Sequence, residues 1–169
     1  MKVKEIMTRD VGFCVPESSL REVVRIMEGK DCGCVPVIDA GKITGVITDR
    51  DICLSLAKSN SRPSQVTAGE VMSRAVYSCR ETDEIEQALE TMRTRQIRRL
   101  PVVNGKGALR GILSLNDVAL HSAARGNGHT VPSREMVKTL QAICEHRVAP
   151  PIKRVPRSSP ARAELLEVM

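Results

Sequence analysis

The chain is written twice. Pairing Met7 with Met72 sets Ile6-Met7-Thr8-Arg9 against Val71-Met72-Ser73-Arg74 and carries on to match Cys14 with Cys79. Leu20, Val23, Val24 and Met27 fall on Ile85, Ala88, Leu89 and Met92. Each set has the i, i+3, i+4, i+7 spacing of an amphipathic helix. Ser19 with Glu22, and Asp83 with Glu86, have the spacing of a reciprocal N-terminal cap. Next, Val35-Pro36-Val37 is matched by Leu100-Pro101-Val102, and turn residues follow each (Asp39-Ala40-Gly41 and Asn104-Gly105-Lys106-Gly107), which signals a hairpin. After an inserted residue in the second turn, Gly45-Val46-Ile47-Thr48 falls on Gly111-Ile112-Leu113-Ser114, Asp51 on Asp117 and Leu54 on Leu120. Each copy therefore predicts an extended segment, then helix, strand, strand, helix. A unit of about 60 residues buries too little surface to stand alone, so the two copies are expected to pack face to face.

The repeat divides the chain into residues 1–63, 64–126 and 127–169. The Ser-rich stretch from Lys58 to Thr67 reads as the loop between copies. Beyond the repeat, a helix from Ser133 to about His146 carries Met136, Val137, Leu140, Ile143 and Cys144 on one face and is expected to dock. The Pro-rich remainder, with Lys153, Arg154, Arg157 and Arg162, is expected to be disordered or anchored by a partner.

Composition narrows the partners. A net charge of +6 admits an anionic one. Phe13 and Tyr77 are the only aromatic residues, so a single-strand binder that stacks bases on rings has almost nothing to stack on. No apolar run approaches the roughly 18 residues of a membrane span, and the start lacks a secretion signal's apolar region. A cytoplasmic protein without a membrane partner is the expectation. The six cysteines, four of them in apolar or strand-like runs, are expected to be mostly buried reduced thiols.

The stretch Gly45-Val46-Ile47-Thr48-Asp49-Arg50-Asp51 reads as a buried strand breaking into a helix. Its Thr48 and Asp51 can be a cap, each satisfying the other's backbone N–H. That is the commoner role of such a pair, and the alternative is a handle for a nucleotide. A carboxylate in a first helical turn can accept from both hydroxyls of a ribose, and the free N–H groups beside it suit a phosphate. Gly45 would let a ligand approach the strand.

These residues, with the Ile6-Met7-Thr8 and Val71-Met72-Ser73 openings and the Cys34-Val35-Pro36-Val37 and Arg99-Leu100-Pro101-Val102-Val103 strands, resemble the paired cystathionine-beta-synthase (CBS) domains, or Bateman module. The resemblance covers Val3 to Ala123. It implies an α+β fold of two CBS units, helix-strand-strand-helix around a small sheet, related by a pseudo-twofold. It also implies homodimerisation and clefts for adenosine-containing ligands such as AMP, ADP, ATP, NAD or S-adenosylmethionine. The family's G-h-h-[ST]-x-x-D motif falls on Gly45, Thr48 and Asp51, and on Gly111, Ser114 and Asp117. Arg98 and Arg99, where the first copy has Gly33 and Cys34, are implied phosphate contacts, with Arg50 a further one; Asn116 stands at its place in the second motif. Backbone groups around Val15, Pro36, Cys79 and Pro101 are implied to face the adenine.

No P-loop, HExxH or GxSxG motif occurs, and no enzymatic activity is expected. His121, one turn after Asp117, reads as a surface pair; His129 and His146 lie beyond the repeat. Cys32-x-Cys34 lacks a second cysteine pair, so no metal is expected. The leading expectation is a regulatory module that senses an adenine nucleotide and signals to an unidentified partner protein. Two alternatives stand beside it: a structural dimerisation module with empty clefts, and a nucleic-acid binder using its basic tail, though nucleic acid is not the expected partner. A homodimer is expected because the helices, with their Met27 and Met92 stripes, carry more apolar surface than two small units can hide.

Overall fold

The computed structural model describes residues 1–59, 61–122 and 130–145. The basic Pro-rich tail, His129 and His146 lie outside the described residues. The first repeat runs α1 (Val3–Ile6), α2 (Leu20–Gly29), β1 (Cys34–Asp39), β2 (Lys42–Thr48) and α3 (Asp49–Lys58). The second runs α4 (Ala68–Val71), β3 (Cys79–Arg80), α5 (Ile85–Arg95), β4 (Arg99–Val103), β5 (Leu109–Ser114) and α6 (Leu115–Ser122), and α7 (Ser133–Cys144) follows. This is the expected α+β architecture, except that each opening segment contains one helical turn rather than being wholly extended. The hairpins are antiparallel, with Val35 opposite Ile47 and Leu100 opposite Leu113, and both shift register at equivalent places, Val37/Ile38 and Val102/Val103. Strand β3 lies parallel to β4, where the first repeat has only the bridge from Cys14 to Val37.

Caps follow the local sequence with one correction. Ser19 N–H donates to the Glu22 carboxylate at 2.7 Å and the Ser19 hydroxyl accepts from Glu22 N–H at 3.3 Å. The bond from Ser19 N–H, with a second from the Ser19 hydroxyl at 3.0 Å, holds the Glu22 carboxyl below its ordinary range. In the second repeat the cap is not Asp83 with Glu86. Asp83 is drawn back to accept from Arg80 N–H at 2.7 Å, closing the turn after β3, and the N-cap is Glu84, whose N–H donates to the Gln87 side-chain oxygen at 3.2 Å.

The two cores exchange their opening segments. Val3, Ile6 and Met7, from the first repeat, are buried among Cys79, Leu89, Leu100 and Leu113 of the second. Ala68 and Met72, from the second repeat, are buried among Leu20, Val37 and Ile47 of the first. Paired backbone bonds seal each crossing: Thr8 with Ile112 at 2.9 Å in both directions, and Val46 with Ser73 at 3.1 and 2.9 Å. The motif glycines serve this exchange. A Cβ on Gly45 would sit 2.3 Å from the Met72 sulfur, and one on Gly111 would sit 2.6 Å from the Thr8 carbonyl oxygen. The close neighbour of Gly45 is therefore the other repeat's methionine, not a ligand as the sequence reading had it.

Met27 and Met92 face these cores and are buried, so they are not surface available to a second copy. The large apolar residues left exposed on the repeat helices are Val24, Leu54 and Leu120. Helix α7 does dock, against α5 and α6, but its buried stripe is rotated from the expected one. Met136, Thr139 and Ile143 face inward, while Val137, Leu140 and Cys144 are exposed. Arg93 explains the rotation: its Nη1 donates to Glu135 at 3.0 Å and to the Thr139 hydroxyl at 3.1 Å, so the buried polar groups are satisfied.

No disulfide joins the described cysteines; Cys14, Cys34 and Cys79 are buried, whereas Cys53 and Cys144 are exposed. Burial pushes the Cys14 thiol up to about 11 and the Cys79 thiol up to about 12. Among the described residues no helix is long and apolar enough to cross a membrane.

Candidate functional site

Where β2 turns into α3, the cap reading is realised in full. Asp51 Oδ2 accepts from Thr48 N–H at 3.0 Å and from the Thr48 hydroxyl at 2.6 Å, and Thr48 Oγ1 faces Asp51 N–H at 3.2 Å. Ser114 and Asp117 repeat the arrangement where β5 turns into α6, with Asp117 Oδ2 2.7 Å from Ser114 N and 2.6 Å from its hydroxyl. The repeats differ at the other carboxylate oxygen. Asp117 Oδ1 accepts from the Thr8 hydroxyl at 3.0 Å. Ser73, the counterpart of Thr8, makes no such bond, and among the described residues Asp51 Oδ1 accepts no hydrogen bond. A carboxylate oxygen has two lone pairs, so the Asp51 cap leaves an acceptor edge for a pair of hydroxyls.

Each motif opens on its own cleft between the repeats. The Asp51 cleft, of about 320 Å³, brings Thr48, Arg50 and Asp51 together with Arg98, Arg99 and Pro101 of the other repeat. The Asp117 cleft, of about 270 Å³, holds Ser114 and Asp117 with Thr8, Asp10, Lys30 and Asp31 of the first repeat. Arg99 lines both. Val15, Pro36 and Cys79 line neither. Val15 is half-exposed, Pro36 is paired with Val46 inside the hairpin, and Cys79 is buried in the second core.

Charge separates the two clefts. The Asp51 cleft sets three arginines against Asp49 and Asp51, and Arg50, Arg98 and Arg99 make no ion pair among the described residues. The Asp117 cleft sets three aspartates against Arg99 and Lys30, and Lys30 is already paired with Asp10 at 2.7 Å. Where the second repeat has Arg98, the first has Gly33, which lies against Asp49. A Cβ at residue 33 would lie 2.7 Å from the Asp49 carboxylate, whereas the residue matching Asp49 in the second repeat is Leu115.

Tyr77 and Gln96 also line the Asp51 cleft, and the sequence did not mark either as a site residue. Arg95 sits over the Tyr77 ring, 4.6 Å from its centroid. The buried Cys34 thiol reaches the walls of both clefts. Burial pushes it up to about 11, with Arg99 opposing, so it stays protonated at neutral pH and is a poor nucleophile. His121 turns its ring to the Asp117 backbone oxygen at 2.7 Å rather than to the carboxylate.

The CBS domain family model matches residues 3–58 and again 68–123. This chain is a tandem CBS-domain protein. The CBS domain-containing protein YhcV of Bacillus subtilis is 35% identical over 119 residues, which are 70% of this chain and 84% of the relative. Among solved structures, the CBS domain pair of protein MJ0100 in complex with 5-methylthioadenosine and S-adenosyl-L-methionine superposes with a TM-score of 0.64 at 26% identity, covering 71% of this chain and 94% of that one. CBSX2 in complex with AMP superposes with a TM-score of 0.60 at 25% identity, covering 70% and 93%. Helix α7 lies beyond the residues that the family model matches.

Proposed function

We propose that this CBS pair is a regulatory module that binds a phosphate-bearing adenine nucleotide in the Asp51 cleft. One observation carries the reading: the cleft that keeps a carboxylate edge open at Asp51 is also the cleft lined by three arginines that make no ion pair among the described residues. Such an edge suits a ribose diol, and guanidinium groups grip phosphate through paired bonds. Both repeats are needed, since Asp51 and the Arg98-Arg99 pair come from different ones. The preference is for AMP, ADP, ATP or NAD over S-adenosylmethionine, whose cationic sulfonium gains nothing from arginines. The adenosine complexes of MJ0100 and CBSX2 support the ligand class.

Calorimetric titration with AMP and adenosine tests the reading. Replacing Arg98 and Arg99 together by Gln is expected to weaken AMP binding about 10-fold or more, since hydrogen bonds to charged groups contribute about 1.5–3 kcal/mol, while adenosine affinity changes little. Equal losses for both ligands would contradict a phosphate role. The pair is further proposed to work as a cytoplasmic homodimer, its contact built on the exposed Leu54 and Leu120 of the equivalent helices α3 and α6. Sedimentation at micromolar concentration is expected to show a dimer that Leu54→Lys with Leu120→Lys dissociates; a monomeric parent chain would refute it.

A further inference from the structure

Helix α5 ends in a residue that faces two ways. Gln96, its C-cap, is in the left-handed region at φ 50° and ψ 46°, where a residue with a side chain is uncommon. Its counterpart after α2, Asp31, has the same twist at φ 46°. Each lines the cleft on its own side, Asp31 the Asp117 cleft and Gln96 the Asp51 cleft. What lies behind them differs. Gln96 Nε2 donates to the Ala142 carbonyl oxygen at 3.1 Å, and the Glu145 carbonyl oxygen is 3.5 Å away, both at the end of α7. The last carbonyls of a helix have no partner within it, so this amide completes the end of α7.

The rest of the same turn is divided likewise. Arg93 holds Glu135 and Thr139 of α7, while Arg95 lies over Tyr77 on the cleft wall. Arg98 and Arg99 follow directly on Gln96 and Ile97. Residues 93–99 thus form a continuous strip from helix α7 to the place proposed for the phosphate.

We infer that α7 is the output element of the Asp51 cleft, coupled to it through Gln96. The inference rests on the nucleotide reading of that cleft. A nucleotide gripping Arg98 and Arg99 restrains the segment from Gln96 onward, keeps Gln96 in its left-handed cap, and holds its amide on the end of α7. The occupied cleft therefore tightens α7 docking, and by linkage a docked α7 favours the nucleotide. Among the described residues the Asp117 cleft has no equivalent, because the Asp31 side chain makes no hydrogen bond to α7.

Amide hydrogen exchange on the full chain, with AMP as the probe, tests the coupling. AMP is expected to slow exchange across Ser133–Cys144 about fivefold or more, within the usual range of coupling between sites, and to slow the reference helix Leu20–Gly29 clearly less. Gln96→Gly removes the amide but suits the left-handed backbone, so the variant should fold and, with each chain compared at its own saturating AMP concentration, lose the response in α7. Bound AMP with α7 exchange unchanged, faster, or slowed equally with Leu20–Gly29 would overturn the coupling alone. A Gln96→Gly chain that keeps the full α7 response would do the same. No AMP retained by the parent chain in equilibrium dialysis would overturn the nucleotide reading, and the coupling with it.

Discussion

AMP at about 100 times its Kd is expected to stabilise this CBS pair by roughly 2.7 kcal/mol, several degrees in Tm, and Asp51→Asn is expected to remove most of that shift. The geometry at Asp51 separates two roles of a single side chain. One oxygen, Oδ2, is committed to Thr48, and an Asn oxygen can take over that duty. The other, Oδ1, is the acceptor edge, and in Asn it becomes an NH2 that cannot accept from a ribose hydroxyl. The ligand-free stability should thus fall by only about 0.3–1 kcal/mol, because Asn keeps the capping oxygen and loses only the carboxylate's charge near the helix N-terminus. The ligand-induced shift should fall, and 2′-deoxy-AMP should give a similarly reduced shift with the unmutated chain. Asp117→Asn is expected to affect the AMP shift less, because Thr8 already occupies the corresponding oxygen and the surrounding cleft is acidic. Equal shifts for the parent and Asp51→Asn would eliminate the ribose contact at Asp51.

Met72→Ala is expected to cost about 2–5 kcal/mol, the range for truncating a buried methionine, and to loosen the first repeat although Met72 belongs to the second. Denaturant titration reads the total loss, and exchange in β1 and β2 locates it. The contact with Gly45 adds a sharper measurement. Gly45→Ala alone pushes a methyl group against the Met72 sulfur. In a Met72→Ala background the sulfur is gone, so the same substitution should be much less harmful. A double-mutant cycle would show this as a coupling between two residues of different repeats. Strict additivity of the two changes would mean that the crossing segment does not press on Gly45 in solution.

Much of the architecture was legible because the repeat presents each pattern twice. The short apolar runs Val35-Pro36-Val37 and Leu100-Pro101-Val102 and the Leu20/Val23/Met27 stripe announce what is buried, and the structure buries them. Val24 fails because the apolar stripe is wider than the part of the helix that meets the core; it is 44% exposed. Cap spacing located the start of α2 but misplaced that of α5, because three acids compete near it and Asp83 has a nearer donor in Arg80 N–H. The inward face of α7 was obscured by Thr139, a polar residue that only the reach of Arg93 makes suitable for burial.

What the sequence alone determined is local: helix and strand periods, and the Thr/Ser-to-Asp spacing at the two strand-to-helix turns. These follow from spacings of a few residues, which the chain cannot alter without changing its secondary structure. The tertiary structure decided how the copies share themselves. Nothing in the pattern of Val3, Ile6 and Met7 tells whether they pack in their own repeat or the other, because apolar burial is non-directional and both cores would accept them. Exchanging the opening segments places Thr8 on Asp117, whereas Ser73 makes no bond to Asp51, and the residues that the two repeats bring to each cleft make one basic and the other acidic. Two motifs that read alike along the chain therefore become unlike sites, since each is completed by residues from the opposite repeat and those residues differ.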